Sequence, residues 1–135
     1  DFLGPKHLDL QMDFDTVPKA GSRMGTGTMI ILDDKTCPVG MIRNLTQFFA
    51  QESCGCCTPC RDGLPWLEKT LAAIDEGSGV ADDLDHLKRH VKLLGPGMTF
   101  CALAPGAMAP LGSALTRFAD DFERHIREKR CPWKN

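Results

Sequence analysis

The chain has 135 residues, a formal net charge of -2 and 42% hydrophobic residues, which is typical of a soluble globular domain or of one domain with an appendage. Because Lys and Arg are scattered and no aromatic-basic stripe occurs, the sequence gives no argument for nucleic-acid binding. The uncharged stretch 93–116 is long enough to suggest a membrane span. Its prolines and glycines exclude one continuous helix in lipid, so we expect a buried loop and no membrane insertion.

Residues 1–34 do not look like a complete domain. Residues 8–14 alternate between apolar and polar side chains, and residues 28–32 form a short apolar run, so both are predicted as strands. The glycine-rich segment 21–27 between them lacks the spacing of a phosphate-binding loop and is predicted as a structural turn.

From Pro38 onward the pattern is helical, and four helices are predicted, each with one apolar stripe. The second begins near Pro65, the third ends at Gly95, and the fourth begins near Pro110. The stripes are Met41, Leu45, Phe48 and Phe49; Leu67, Leu71 and Ile74; Leu84, Leu87, Val91 and Leu94; and Leu111, Leu115, Phe118, Phe122 and Ile126. Such helices are marginal alone, so the fold class is predicted as mainly α, with a small four-helix bundle over residues 35–135.

Cysteines dominate the chemistry that the sequence can support. Cys54, Cys57 and Cys60 have the spacing C-x2-C-x2-C, and Cys101 lies in a distant connection that an up-down bundle would bring to the same end. A compact triplet with one remote partner favours a 4Fe-4S cluster. Structural zinc, which usually takes two separated ligand pairs, is the main alternative.

The other cysteines suggest no second framework. Cys56 lies inside the triplet and is predicted not to be a ligand. Together with Cys37 and Cys131 it makes three cysteines outside the predicted cluster. Because an odd number of cysteines does not form a paired framework, the sequence favours a reducing compartment over disulfides. The segment from Cys57 to Cys60 also has the C-x-x-C spacing of thiol oxidoreductases, but no βαβ pattern accompanies it.

The remaining polar residues offer no catalytic group. His86 and His90 are four residues apart on one helix and could share a metal, but we expect them on a solvated face. The charged residues of 120–130 are also predicted to be exposed. No Ser-His-Asp set or carboxylate pair stands out, so no catalytic residue is assigned.

Two longer motifs suggest a family. The segments Glu-Ser-Cys-Gly-x-Cys-Thr-Pro-Cys-Arg-Asp-Gly-Leu-Pro-Trp at 52–66 and Leu-Gly-Pro-Gly-x-Thr-Phe-Cys-Ala at 94–102 resemble the C-terminal part of the flavoprotein subunit of respiratory NADH:quinone oxidoreductase, complex I. The resemblance covers nearly the whole chain. Two departures are a cysteine at position 56 and the sequence that follows Cys101, and neither removes a ligand.

The resemblance implies an electron-relay function. In that family the cysteines matching Cys54, Cys57, Cys60 and Cys101 hold a 4Fe-4S cluster, which takes electrons from FMN reduced by NADH and passes them toward quinone. FMN and NADH bind to an N-terminal domain that nothing here matches, so these residues alone are expected to bind neither cofactor and to be inactive. Residues 1–34 are then expected to be the remnant of a preceding small β-rich domain.

The resemblance also implies the setting. The partners are other peripheral-arm subunits of complex I, at the inner face of the bacterial cytoplasmic membrane or on the matrix side in mitochondria. Two alternatives remain at this point. One is the equivalent module of an NAD-linked hydrogenase or formate dehydrogenase, and the other is a zinc-stabilised interaction domain.

Overall fold

Helices make up most of the regular structure in the computed structural model, which describes residues 1–134. A 3-10 turn, Pro5–His7, comes first, and the α-helices follow it. They are α1 (Thr16–Lys19), α2 (Pro38–Gln51), α3 (Thr58–Asp75), α4 (Ala81–Leu93), α5 (Leu103–Arg117) and α6 (Ala119–Glu128). The mainly α fold is confirmed. None of the helices described is both long enough and apolar enough to span a membrane.

The two strands predicted in the N-terminal segment are wrong. Over residues 1–134 no strand is formed, and segments 8–14 and 28–32 have no neighbouring strand to share hydrogen bonds with. Leu8 is 85% exposed and Ile31 is 92% exposed. An alternating or apolar pattern produces a strand only where a second strand satisfies its backbone groups, and no such partner lies within these residues.

The first predicted helix is confirmed as α2. Pro38 occupies its first turn, where the missing N–H is not needed, and Cys37 caps the helix by accepting a hydrogen bond from the Gly40 N–H at 3.3 Å. The face toward the core differs from the predicted stripe, because Ile42 and Thr46 are buried and Phe48 is 53% exposed.

The sequence prediction places the start of the second helix too late. Helix α3 begins at Thr58, with Pro59 in its first turn and Pro65 inside it. A proline in the first turn costs little, and the apolar stripe continues through Pro65 from Leu64 to Leu67. Cys60 therefore lies on a helix and not in the preceding loop.

The C-terminal third also differs from the prediction. The expected single helix from Pro110 is two helices, α5 and α6, separated at Phe118, whose φ of -119° and ψ of 29° are not helical. Most of the uncharged stretch expected as a buried loop is helix α5, which includes Pro110. The connection that carries Cys101 is correspondingly shorter, running from the end of α4 to Ala102.

The core is shared by five helices. Helices α2, α3, α4 and α5 form a ring in which each contacts the next, and α6 contacts all four. Each contributes a side chain that is at most 1% exposed: Ile42, Leu64, Leu87, Leu111 and Phe122. Since helices of 10 to 18 residues are marginal in isolation, this shared burial holds the fold together.

The end of α3 approaches the end of α6 very closely at Gly77. Gly77 has a positive φ of 84°, and a Cβ there would overlap the backbone carbonyl of Lys129. We predict that Gly77→Ala lowers the free energy of unfolding by about 3 kcal/mol or more, because the backbones must separate. Gly21 is a matched control, since its φ is also 84° but no atom of the described part of the chain lies within 4 Å of its Cβ position.

Only the conformational cost of about 1 kcal/mol is expected for Gly21→Ala. Urea unfolding followed by far-UV circular dichroism compares the two variants. Equal losses of stability would contradict the close approach at Gly77.

Candidate metal centre

The cysteine triplet spans the junction between α2 and α3. Cys54 lies in the loop, Cys57 is the N-cap of α3, and Cys60 lies in the first turn of that helix. The N-terminus of a helix carries partial positive charge, which favours thiolates over thiols. The local fold therefore places Cys57 and Cys60 at the N-terminal end of α3.

Arg61 holds the loop in its turned shape. Its guanidinium donates to the Gly55 carbonyl at 3.2 Å and to the Thr58 hydroxyl at 3.4 Å. Gly55 itself has a φ of 75°, a conformation that favours glycine. The chain can therefore reverse between Cys54 and Cys57, with an arginine side chain as its brace.

The Cys101 loop is positioned by the packing of α4 on α3. Leu94, at the end of α4, is 1% exposed, and its methyl group lies 3.1 Å from the position that a Cβ of Gly63 would occupy. Because Gly63 has no side chain, the end of α4 approaches the first turns of α3. The loop that follows is stabilised by the Thr99 hydroxyl, which donates to the Cys101 carbonyl at 2.9 Å.

The two loops face each other across an open cavity of about 350 Å³. One wall is the start of α3 and the other is the loop before Cys101; the lining residues are Cys56, Cys57, Thr58, Pro59, Met98, Thr99 and Phe100. The sequence prediction that two connections distant in the chain meet at one end of the helices agrees with this geometry.

Cys60 is the buried member of the four predicted ligands. Burial raises the pKa of Cys60, the Ser53 hydroxyl at 3.2 Å lowers it, and the neighbouring cysteines Cys57, Cys101 and Cys54 raise it further. Cys60 is 4% exposed, whereas Cys54 and Cys101 are exposed and Cys57 is half-buried.

The thiols are neighbours but they are not gathered around a single point. Among the residues described, the one set of three or more Cys, His, Asp or Glu side chains with ligand atoms within 4.8 Å of one another includes none of these four cysteines. Cys56, predicted not to be a ligand, is exposed and lines the cavity.

Sequence reasoning missed two polar residues at this site. Ser53 contacts the Cys60 sulfur, and Arg61 braces the loop. Both directly flank the cysteine run, and no ligand-spacing rule assigns a role to them. Only the turn at Gly55 brings Arg61 back to the loop and gives it a function.

The histidine pair of α4 is occupied with another contact. The ring of His90 stacks on Trp66 with centroids 4.3 Å apart, and His86 meets the edge of the same indole at 5.9 Å. The His90 Nδ1 donates to the His86 carbonyl at 2.9 Å. The pair therefore packs against an aromatic side chain at the surface.

The comparison with known families agrees with the chemistry of the cysteine loops. Residues 40–125 match the protein family described as the NADH-ubiquinone oxidoreductase-F iron-sulfur binding region, and the chain belongs to that family. The resemblance identified from the two cysteine motifs is thereby confirmed.

Relatives that are F subunits of NADH-quinone oxidoreductase show how much of the protein is involved. The chain is 51% identical over 128 residues to that of Escherichia coli (strain K12), covering 95% of this chain and 29% of the relative. It is 41% identical over 128 residues to that of Streptomyces coelicolor, with 95% and 28% covered, and 39% identical over 131 residues to that of Mycobacterium bovis, with 97% and 29% covered. The chain thus spans about three tenths of the length of these relatives.

Proposed function

We propose that Cys54, Cys57, Cys60 and Cys101 hold a 4Fe-4S cluster, and that the chain is the electron-relay module of the NADH-oxidising flavoprotein subunit of complex I. In this function electrons pass from reduced FMN toward quinone. The observation that supports it most is that the start of α3 faces the loop before Cys101 across one open cavity, in a chain that belongs to an iron-sulfur binding family.

The donor set fits such a cluster. Four cysteine sulfurs are the usual ligands of a 4Fe-4S cube, and three of them here come from a compact run and one from a remote loop. The helix N-terminus at Cys57 places partial positive charge near the ligands, and the guanidinium of Arg61, which also pairs with Asp62 at 3.4 Å, lies against the same loop. A cluster bound there supplies one-electron transfer, and the chain supplies the sulfur ligands and the local field that tunes it.

The spacing of the thiols favours a cluster over a single zinc ion. A tetrahedral zinc with Zn–S bonds of about 2.3 Å requires sulfurs about 3.8 Å apart. No three of the four thiols lie within 4.8 Å of one another among residues 1–134. Sulfurs that are wider apart than one ion requires suit a larger inorganic core.

The setting of the module follows from the same proposal. Helices α2 to α5 would act as a four-helix bundle over residues 35–135, and residues 1–34 would be the remnant of a preceding small β-rich domain. The partners would be other peripheral-arm subunits of complex I, at the inner face of the bacterial cytoplasmic membrane or on the matrix side in mitochondria. The exposed Met98 and Phe100 at the cavity rim offer apolar surface close to Cys101.

Removing one ligand tests the cluster directly. Cys101→Ser is expected to lose the cluster or to leave a three-iron form, because the remote loop then offers no thiolate. Cys56→Ser is the matched control, since Cys56 is an exposed cysteine beside the same cavity. Iron and acid-labile sulfide are measured on anaerobically purified protein, and iron loss in Cys56→Ser with full retention in Cys101→Ser would overturn the ligand assignment.

The charge of Arg61 tests the local field. Arg61→Gln is expected to lower the reduction potential of the cluster by about 10–40 mV, because a half-exposed charge contributes about 0.2–1 kcal/mol and 59 mV corresponds to a tenfold change for one electron. Arg130→Gln is the control, since the Arg130 backbone adjoins Gly77, beyond the opposite end of α3.

Redox titration monitored by electron paramagnetic resonance measures both potentials. The two arginines are separated by roughly 24 Å of helix length, so Arg130→Gln should leave the potential unchanged. A rise in potential with Arg61→Gln, or equal shifts in both variants, would contradict the proposed field.

A further inference from the structure

Four side chains that bind metals in other proteins converge at the opposite end of α3 from the cysteine loop. They are Cys37, Asp75, His125 and Cys131, and each offers a ligand atom within 4.8 Å of all the others. Asp75, His125 and Cys131 are buried, and Cys37 is half-buried. They come from the start of α2, the end of α3, helix α6 and the segment after it.

His125 is oriented as a metal-binding imidazole. Its ring is fully buried, and its Nδ1 lies 2.7 Å from the Asp121 carbonyl. A carbonyl can only accept, so Nδ1 carries the hydrogen and Nε2 of the neutral ring is an acceptor. That Nε2 faces the Cys37 sulfur at 3.3 Å. A backbone carbonyl that fixes the tautomer in this way is the usual outer partner of a ligating histidine.

Asp75 supplies a second, independent observation at this site. The residue is 3% exposed. Its Oδ2 accepts from Lys134 at 2.7 Å and from Arg43 at 3.1 Å. Its Oδ1 is buried and has no hydrogen-bond partner within residues 1–134. A buried carboxylate oxygen without a partner is rare because its desolvation is uncompensated.

We propose that Cys37, Asp75, His125 and Cys131 bind one Zn²⁺ ion in a structural site that is separate from the cluster. Two sulfurs, one imidazole nitrogen and one carboxylate oxygen are ligands that zinc accepts in tetrahedral geometry. Bond lengths of about 2.0–2.3 Å place tetrahedral ligands about 3.3–3.8 Å apart. Side-chain movements on the order of 1 Å from the observed positions achieve this.

The surroundings compensate the charge of the site. Zinc with two thiolates and one carboxylate carries a net negative charge, and Lys134 and Arg43 lie against the other carboxylate oxygen. The Gly40 N–H donates to the Cys37 sulfur at 3.3 Å. Both thiols release their protons to solvent when the ion binds, so binding is expected to weaken at low pH.

A disulfide between Cys37 and Cys131 would explain less. It would use the two sulfurs but would leave the Asp75 Oδ1 without a partner among the described residues. It would also leave the Nε2 of His125 without a hydrogen-bond donor, because a disulfide sulfur carries no hydrogen. A single cation satisfies all four groups at once. With four protein ligands the coordination is closed, which is typical of structural and not catalytic zinc.

The position of the site indicates what it stabilises. Cys60 and Asp75 lie fifteen residues apart on α3, or about 22 Å along its axis. A zinc ion bound there would tie α6 and the C-terminal segment to the ends of α2 and α3. The two metal centres would then close the helical domain at opposite ends.

The test is a metal analysis of the complete gene product that carries this chain, purified anaerobically without chelators. We expect one zinc per chain in addition to iron. Cys131→Ser and His125→Gln should each lower the zinc affinity at least tenfold in competition with a chromophoric chelator, with iron unchanged. Cys56→Ser should keep both metals, and Cys101→Ser should lose iron but keep zinc.

Cobalt substitution gives a readout that does not depend on the variants folding. Co²⁺ loaded at this site should show the thiolate charge-transfer and strong d–d absorption of tetrahedral sulfur coordination. The absence of zinc together with no such cobalt spectrum in the unsubstituted protein would overturn the proposal. A Cys37–Cys131 disulfide in place of metal would overturn it too, as would full zinc retention in both variants.

Because iron and zinc are counted separately, failure of this site is distinguishable from failure of the cluster assignment. A protein with iron but no zinc contradicts the second site alone. A protein with zinc but no iron contradicts the cluster alone.

Discussion

The packing of Leu94 against Gly63 determines whether the two cysteine loops meet. A Cβ at position 63 would lie 3.1 Å from a methyl group of Leu94 and would crowd it. Because Gly63 has no Cβ, α4 can end beside the first turns of α3. The loop after Leu94 then carries Cys101 to the triplet. The geometry of the candidate cluster therefore depends on an apolar contact that contains no sulfur.

Sequence patterns predicted the helices better than their ends. Apolar residues at three- and four-residue steps identified the buried Leu71, Leu87 and Leu111 correctly, because a stripe buried on one helix face leaves a period in the sequence. Prolines misplaced the boundaries, since Pro65 and Pro110 lie inside helices. A proline marks a helix start only statistically, and packing of the flanking turns can retain it in the interior.

The two metal-binding groups differ in how far the sequence could predict them. Three ligands of the proposed cluster are close in the chain, so their spacing indicated the chemistry. The remote ligand, Cys101, was predicted from the expectation that its connection lies at the same end of the helix bundle. Cys37, Asp75, His125 and Cys131 come from four separate elements and share no spacing. Two of them appeared in the sequence only as leftover cysteines. The fold alone brings these four together, and no local rule encodes that.

The two groups of side chains differ in exposure. Cys54 and Cys101 are exposed, which would leave the proposed cluster accessible to another redox group. Three of the four proposed zinc ligands are buried, which excludes approach by a partner and suits an ion held for stability. Helix α3 connects the two, with the candidate cluster at its N-terminus and the proposed zinc at its C-terminus. The dipole of the helix reinforces this division, because its positive end faces the thiolates of the cluster loop. Its negative end faces Asp75, where the cations Arg43 and Lys134 already gather. A bound cation at that end would continue the same electrostatic pattern.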